Sequence, residues 1–161
     1  MLTEIFSKES RDLMVSRIMR KPLQYMMDRV NAYTLLGRAG FEMQRTINKD
    51  VKFMIYSGHD TQVDNIVVWL TRDIDSFEYI PFASTVTLEL KYSAKCLRRR
   101  KSEDCFSVNA LFNGDELQLK GCTGDSFSDK ACKWNEFMKF LQENWYLGYH
   151  SDNLDLACYQ G

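Results

Sequence analysis

The chain has 161 residues, 45% of them hydrophobic, and its 21 Lys and Arg against 22 Asp and Glu give a net charge of -1. This length fits one domain with one core, and the apolar content excludes a disordered or low-complexity chain. The near-neutral charge favours neither a nucleic-acid partner nor an anionic membrane. No apolar run approaches the ~20 residues of a membrane span. The segment Met1 to Lys8 has no basic and no apolar region, so it is not predicted to be a secretory signal.

Two helices are predicted before residue 48. Residues 8–20 form a short amphipathic segment with Leu13, Ile18 and Met14 or Met19 on one side. Pro22 is predicted to separate this segment from a longer helix over 23–47. The longer helix has apolar residues at steps of three and four, which predicts one face packed on a core: Leu23, Met26, Met27, Val30, Tyr33, Leu36, Ala39, Met43 and Ile47.

A strand, a tight turn and a helix are predicted over residues 51–71. The nearly continuous apolar run Val51–Tyr56 is typical of a strand that is covered on both faces, as in a parallel sheet. Apolar residues then recur at helical spacing from Val63 to Leu70. The turn between them is Ser57-Gly58-His59-Asp60-Thr61.

An antiparallel region of three strands is predicted over residues 85–120. Side chains alternate between apolar and polar over Thr85–Tyr92, and again over Phe106–Phe112. Asn113-Gly114 is a strong hairpin signal, after which Leu117 and Leu119 return the strand.

The rest of the chain contains a loop, a helix and a tail. The connection Leu97–Asp104 between the first two of these strands is predicted to be a long charged loop. Residues 133–147 are predicted to form an amphipathic helix, and 149–161 an irregular tail. The apolar face of that helix comprises Trp134, Phe137, Met138, Leu141 and Trp145.

The cysteines are confined to the part of the chain after residue 95. They are Cys96, Cys105, Cys122, Cys132 and Cys158, and no Cys-x-x-Cys spacing occurs, so no metal site is predicted. Their clustering favours disulfides and an oxidising compartment, with buried reduced thiols as the alternative. The odd number leaves one thiol without an internal partner.

The turn that contains His59 and Asp60 is the strongest candidate for a functional site. It follows a predicted strand and opens a helix, and ligands of open α/β sheets bind at this position. The backbone N–H groups of a helix N-terminus attract anions, His59 could donate to a phosphate oxygen, and Asp60 could transfer a proton. The alternative is structural: Ser57 or Asp60 caps the helix, and His59 is a polar neighbour.

Two other features have simpler interpretations. The basic run Arg98 to Lys101 is interpreted as a solvated loop tip, with nucleic-acid binding as the alternative. His150 is interpreted as a surface histidine rather than a catalytic one, since nothing places a nucleophile beside it.

The segment from Ile55 to Thr61 resembles the His-Asp motif of the histidine acid phosphatases, the branch that includes the prostatic and lysosomal acid phosphatases and the phytases. The helix predicted over 23–47 fits the helix before this motif. The resemblance covers about residues 25–158 and only the C-terminal part of the family's pattern. Further segments follow in the family's order: Pro81–Ser84, Leu88–Leu90, Val108–Phe112 with Asn113-Gly114, Leu117–Leu119, Gly121-Cys122, a closing helix with Phe137 and Leu141, and Cys158.

The resemblance implies a fold and an activity. The fold is the C-terminal portion of a histidine-phosphatase-like αβα sandwich, with a buried strand-turn-helix unit, an antiparallel hairpin region and flanking helices. Residues 1–161 would then be a single, incomplete domain. The family hydrolyses phosphomonoesters through a phosphohistidine intermediate, without a cofactor or metal, in secreted or lysosomal and vacuolar compartments. His59 matches the histidine that binds phosphate, and Asp60 matches the proton donor.

The chain departs from the family at the nucleophile. The family's nucleophilic histidine lies in an Arg-His-Gly-x-Arg motif, and this chain contains no Arg-His-Gly. A chain with half of the site is expected to be inactive, since the nucleophile and the positioned charges supply most of the rate.

The resemblance also predicts how the cysteines pair. Cys122 is expected to pair with Cys132, and Cys96 with Cys105. Cys158 matches a cysteine that is bonded to the family's N-terminal half, which accounts for the odd number.

Three functional hypotheses remain open. The chain is part of an acid phosphatase that acts on phosphomonoesters, or a non-catalytic pseudophosphatase that binds phosphate or a partner. The third hypothesis is a small disulfide-stabilised binding module with no affinity for phosphate at His59. Neither a nucleic-acid partner nor a membrane span is expected, and the oligomeric state is open.

Overall fold

The chain folds as a mixture of helices and one antiparallel sheet with flanking helices, in a computed structural model that describes residues 8–35, 52–71, 79–100, 102–124 and 130–145. The helices are α1 (Lys8–Leu35), α2 (Asp60–Leu70), α3 (Ala94–Arg100) and α4 (Trp134–Asn144), with a 3-10 turn at Glu103–Cys105. The strands are β1 (Val86–Tyr92), β2 (Phe106–Phe112), β3 (Asp115–Glu116) and β4 (Cys132–Lys133).

The helix α1 is one continuous element, so the prediction of two helices separated by Pro22 is wrong. Pro22 lies inside α1, where it donates no hydrogen bond to the carbonyl four residues earlier. Packing compensates, because Val15 and Leu23 on either side of the proline are fully buried and Met19 nearly so. The half-buried Leu13 and Ile18 lie beside this line of contacts. The part of the second predicted helix that extends from 36 to 47 lies outside the described residues.

The predicted buried strand before the His-Asp motif does not form. Residues 52–59 have no regular secondary structure, and Phe53 and Ile55 are 76% and 80% exposed. A strand needs neighbours that satisfy its backbone N–H and C=O groups, and none of the described residues pairs with this segment. Its apolar run therefore remains in solvent, and Val51 lies outside the described residues.

The sheet is centred on β2. Its seven residues pair antiparallel with β1 from Val86↔Phe112 to Tyr92↔Phe106. On its other side β3 pairs at one end and β4 at the other. Four alternate side chains of β2 are buried in the core, as the alternation predicted: Phe106, Val108, Ala110 and Phe112.

The predicted hairpin turn is confirmed at Asn113-Gly114, where φ is 52° and 95°. Two consecutive residues with positive φ match the turn type whose twist suits a two-residue hairpin. The returning strand is shorter than predicted, since β3 ends at Glu116. Leu119 instead bridges to Thr71 after α2, and Lys120 N donates to Leu70 O at 2.9 Å. After β3 the chain therefore leaves the sheet and hydrogen-bonds to the C-terminal end of α2.

The connection between β1 and β2 is helical, so the prediction of a loop over Leu97–Asp104 is wrong. Ser93 begins α3 by accepting hydrogen bonds from the backbone of Cys96 and Leu97. Leu97 is buried, and the charged residues after it point to solvent. The buried leucine and the capping serine both favour this short helix.

The helices α2 and α4 pack together, and both agree with the sequence pattern. Trp69 contacts Phe140 edge to face, with ring centroids 4.9 Å apart, and its indole donates to Asn144 O. Trp145, just beyond α4, is 2% exposed and donates to Ser16 O in α1. The two tryptophans therefore connect the closing helix to both of the other long helices.

Candidate functional site

His59 and Asp60 lie at the N-terminus of α2, as the sequence predicted. His59 is the N-cap residue, with an extended backbone, and Asp60 is the first helical residue. Both side chains are exposed. The structural alternative named the wrong cap, because the N-cap residue is His59 and not Ser57 or Asp60.

The first turn of α2 is stabilised by short hydrogen bonds. The backbone N–H of His59 donates to Gln62 Oε1 at 2.8 Å, and the N–H of Thr61 donates to Asp60 Oδ1 at 2.7 Å. The carbonyl of His59 accepts from the N–H groups of Gln62 and Val63. These contacts fix the backbone of the pair, so that both side chains leave the helix from a defined position.

Gly58 allows this geometry. A Cβ built on Gly58 would lie 2.6 Å from Gln62 Oε1, which is closer than real Cβ contacts. Any side chain at residue 58 would therefore displace the amide that accepts from His59. The glycine before the histidine consequently has a steric role in the turn.

A group of charged residues lies one turn further along α2, where α1 packs beside it. Burial raises the pKa of Asp64, Arg11 lowers it, and Asp60 one turn earlier raises it. Burial also lowers the pKa of Lys120, whose ammonium donates to Val68 O at 2.6 Å. The positive charge of Arg11 adds to this lowering, while Asp12 opposes it. This contribution of α1 was not predicted, because residues so far apart in sequence carry no local signal of contact.

The structure contains a cleft that is separate from the His-Asp pair. It has a volume of about 450 Å³ and lies between α1, α4 and the 3-10 turn. None of its lining residues belongs to α2. Its mixed lining comprises Met27, Asn31, Glu103, Trp134, Asn135, Met138, Lys139 and Gln142.

The structure contains both of the predicted disulfides. Cys96 pairs with Cys105 and Cys122 with Cys132, across sequence separations of 9 and 10. Glu136 lies close to the second disulfide, with its carboxylate within 4.8 Å of both sulfurs, but it accepts from Thr123. Sulfurs that are bonded to each other offer no thiolates to a metal ion. His150 and Cys158 lie outside the described residues.

No protein-family model matches the chain, and no curated protein or solved structure has significant similarity to it. None of the helices in the described ranges combines the length and the apolar character that a bilayer span requires. The two disulfides are compatible with a secreted or lysosomal protein.

Proposed function

We propose that this chain supplies half of a histidine-acid-phosphatase site, in which His59 binds the phosphate and Asp60 protonates the leaving alcohol. The observation that carries the proposal is the exposed His59-Asp60 pair, fixed by backbone hydrogen bonds at the N-terminus of α2. A helix N-terminus favours an anion through its partial positive charge. An imidazole and a carboxylate at that position match the roles that the resemblance implies.

The order of the surrounding elements supports the same proposal. The pair is followed by a helix, two long antiparallel strands, an Asn-Gly turn, a disulfide and a closing helix. This is the order that the resemblance to the histidine acid phosphatases implies. We therefore propose that residues 1–161 are the C-terminal portion of that αβα sandwich, in a secreted or lysosomal protein.

The exposed segment before the pair supports an incomplete sheet. Phe53, Ile55 and Tyr56 are 76%, 80% and 53% exposed, although a strand at this place would bury such residues. A neighbouring strand that carries the Arg-His-Gly motif would cover them and bring the nucleophile to His59. We propose that the chain without that strand does not hydrolyse phosphomonoesters.

Activity and anion binding are tested on the purified chain with its disulfides intact. We expect no hydrolysis of an aryl phosphate at pH 5, and binding of inorganic phosphate or vanadate that shifts the imidazole NMR signals of His59. His59→Ala should abolish this binding, and His150→Ala is the matched control that should keep it. Hydrolysis that disappears in His59→Ala would refute the claim of inactivity.

A non-catalytic binding protein is the second candidate, favoured by the exposed apolar segment that includes Phe53 and Ile55. The native mass distinguishes the two, after capture from the source with an antibody to residues 97–104. A species much heavier than 18.9 kDa supports a complete phosphatase, and one near 18.9 kDa supports a stand-alone binding protein. Absence of phosphate and vanadate binding at His59 would instead support the small binding module.

A further inference from the structure

The helix α3 presents a cluster of positive charge that the proposed phosphatase site does not use. Lys95, Arg98, Arg99 and Arg100 are all exposed, whereas Leu97 between them is buried in the core. Residues three and four apart lie on the same side of a helix, so Lys95 is adjacent to Arg98 and Arg99. We call these four residues the basic cluster.

The N-terminal half of α3 is held in place by hydrogen bonds and a disulfide. Ser93 Oγ accepts from the N–H of Cys96, and Ser93 N donates to Cys105 O at 2.9 Å. The Cys96–Cys105 disulfide then links the helix to the start of β2. Binding to a helix that is already formed loses less conformational entropy than binding to a mobile loop, so the backbone that carries the four cations is arranged in advance for a ligand.

Among the described residues, the neighbouring acidic side chains form no ion pair with the cluster. Asp104 accepts from Ser102 Oγ and from Asn135 Nδ2, so each of its oxygens is hydrogen-bonded to a neutral group. Within the part of the chain that the structure describes, no salt bridge joins a carboxylate to Arg98, Arg99 or Arg100. A cation in the last turn also stabilises a helix, but this effect needs one charge and not three adjacent arginines.

We propose that the basic cluster binds a sulfated polysaccharide. Guanidinium groups form paired hydrogen bonds to tetrahedral oxyanions, and Lys95, Arg98 and Arg99 on one side of α3 offer neighbouring cations to successive sulfates of a linear polyanion. Because the net charge of the chain is -1, the molecule as a whole does not attract a polyanion. Affinity for the polysaccharide must therefore come from this local surface. The two disulfides favour an oxidising environment, where the polyanions that the protein meets are sulfated sugars rather than nucleic acids.

Heparin binding by the oxidised chain tests the proposal. We expect binding at 50 mM NaCl that weakens steadily as salt rises, because each contact releases counterions. The variant R98A/R99A/R100A should lose about tenfold or more in affinity. The matched control is R17A/R20A/K21A, which removes the same charge from three exposed residues of α1 and should bind within about twofold of the native chain.

Four outcomes would overturn the proposal. They are no heparin binding at 50 mM NaCl, equal losses in the two triple variants, equal binding of desulfated heparin, and equal or tighter binding of an RNA oligonucleotide. Equal losses would mean that only net charge matters, and tighter RNA binding would assign the surface to nucleic acid. Circular dichroism and a thiol count on each variant ensure that a loss is not caused by unfolding. The phosphatase proposal is tested separately, because His59→Ala should leave heparin binding unchanged.

Discussion

At the scale of single residues, the His-Asp turn depends on a contact between a side chain and the backbone. Gln62 Oε1 accepts from His59 N–H at 2.8 Å, and Gly58 leaves space for it. The sequence identified His59 and Asp60 as the candidate pair but did not assign roles to Gly58 and Gln62. Their roles follow from the distance across the turn, which is a property of the folded helix terminus.

Gly58→Ala is expected to destabilise the native chain by at most about 1 kcal/mol, because the new Cβ displaces the flexible end of Gln62 and weakens its exposed hydrogen bond. Gln62→Ala should cost a similar amount by removing the acceptor. In the Gln62→Ala background the glycine substitution should be close to neutral, since no amide remains to be displaced. Urea unfolding of the two single variants and the double variant measures this coupling, and additive costs would contradict the steric role.

Asp64 is expected to make stability depend on pH. Burial raises the pKa of its carboxyl, although Arg11 opposes this and Asp60 adds to it. Because the folded pKa lies above the unfolded one, the folded chain binds more protons between the two values. The ionised form of Asp64 therefore reduces stability as the pH rises through its folded pKa.

Asp64→Asn should consequently be more stable than the native chain at pH 7 and no different near pH 3, where the carboxyl is protonated in both states. The free energy of unfolding in urea between pH 3 and pH 7 provides the test. Asp115→Asn, at an exposed residue of the hairpin, is the control for removing one carboxylate charge. A native chain that is more stable than Asp64→Asn at pH 7 would show that the attraction of the Arg11 charge outweighs the effect of burial.

At the scale of elements, α1 shows that packing overrides local propensity. A proline in a helix interior costs about 3 kcal/mol relative to alanine, yet the 28 residues of α1 continue through Pro22. The burial of Val15 and Leu23 on the same face supplies the compensating contacts. A prediction from propensity alone therefore ends the helix where the tertiary structure continues it.

Pro22→Ala is accordingly expected to raise the free energy of unfolding by about 1–3 kcal/mol, since it restores a donor inside α1. Pro81→Ala is the natural control, because Pro81 is exposed and lies outside the helices and strands. Thermal unfolding of both variants should show the difference. A decrease in the melting temperature of Pro22→Ala would indicate that the chain has to bend at this residue.

At the scale of the whole molecule, two disulfides close short loops on either side of β2. Cys96–Cys105 joins α3 to the start of β2, and Cys122–Cys132 joins the segment after β3 to β4. Loops of this length stabilise a fold by about 2.7 kcal/mol each through the entropy of the unfolded chain. The two disulfides together are therefore a large part of the stability of a domain of this size.

The two disulfides are expected to differ in their rates of reduction. Cys96 is partly exposed, whereas Cys122 and Cys132 are 2% and 0% exposed, so a thiol reagent reaches the first disulfide sooner. Timed alkylation after addition of dithiothreitol, read by mass spectrometry, should label Cys96 and Cys105 first. A thiol count on the unfolded, unreduced chain should not exceed one, and three or more free thiols would contradict the pairing.

The sequence by itself determined the features that depend on local pattern. The helical spacing of Val67 and Leu70 and of Phe137 and Leu141 predicted the buried faces of α2 and α4, and Asn113-Gly114 predicted the turn. The His59-Asp60 pair was also found this way, since it stands between an apolar run and a helix. Periodicity and positive φ are set by a few adjacent residues, so they can be read without the fold.

Only the tertiary structure decided the features that depend on distant partners. Whether Lys52–Tyr56 forms a strand depends on a neighbour that satisfies its backbone groups, and none of the described residues does so. The continuity of α1 through Pro22 depends on the core beneath it. The effect of the Arg11 charge on the pKa of Asp64 depends on how α1 packs against α2. Hydrogen-bond satisfaction and burial depend on which elements pack together in space. A local sequence pattern does not predict that packing, because it contains no information on distant contacts.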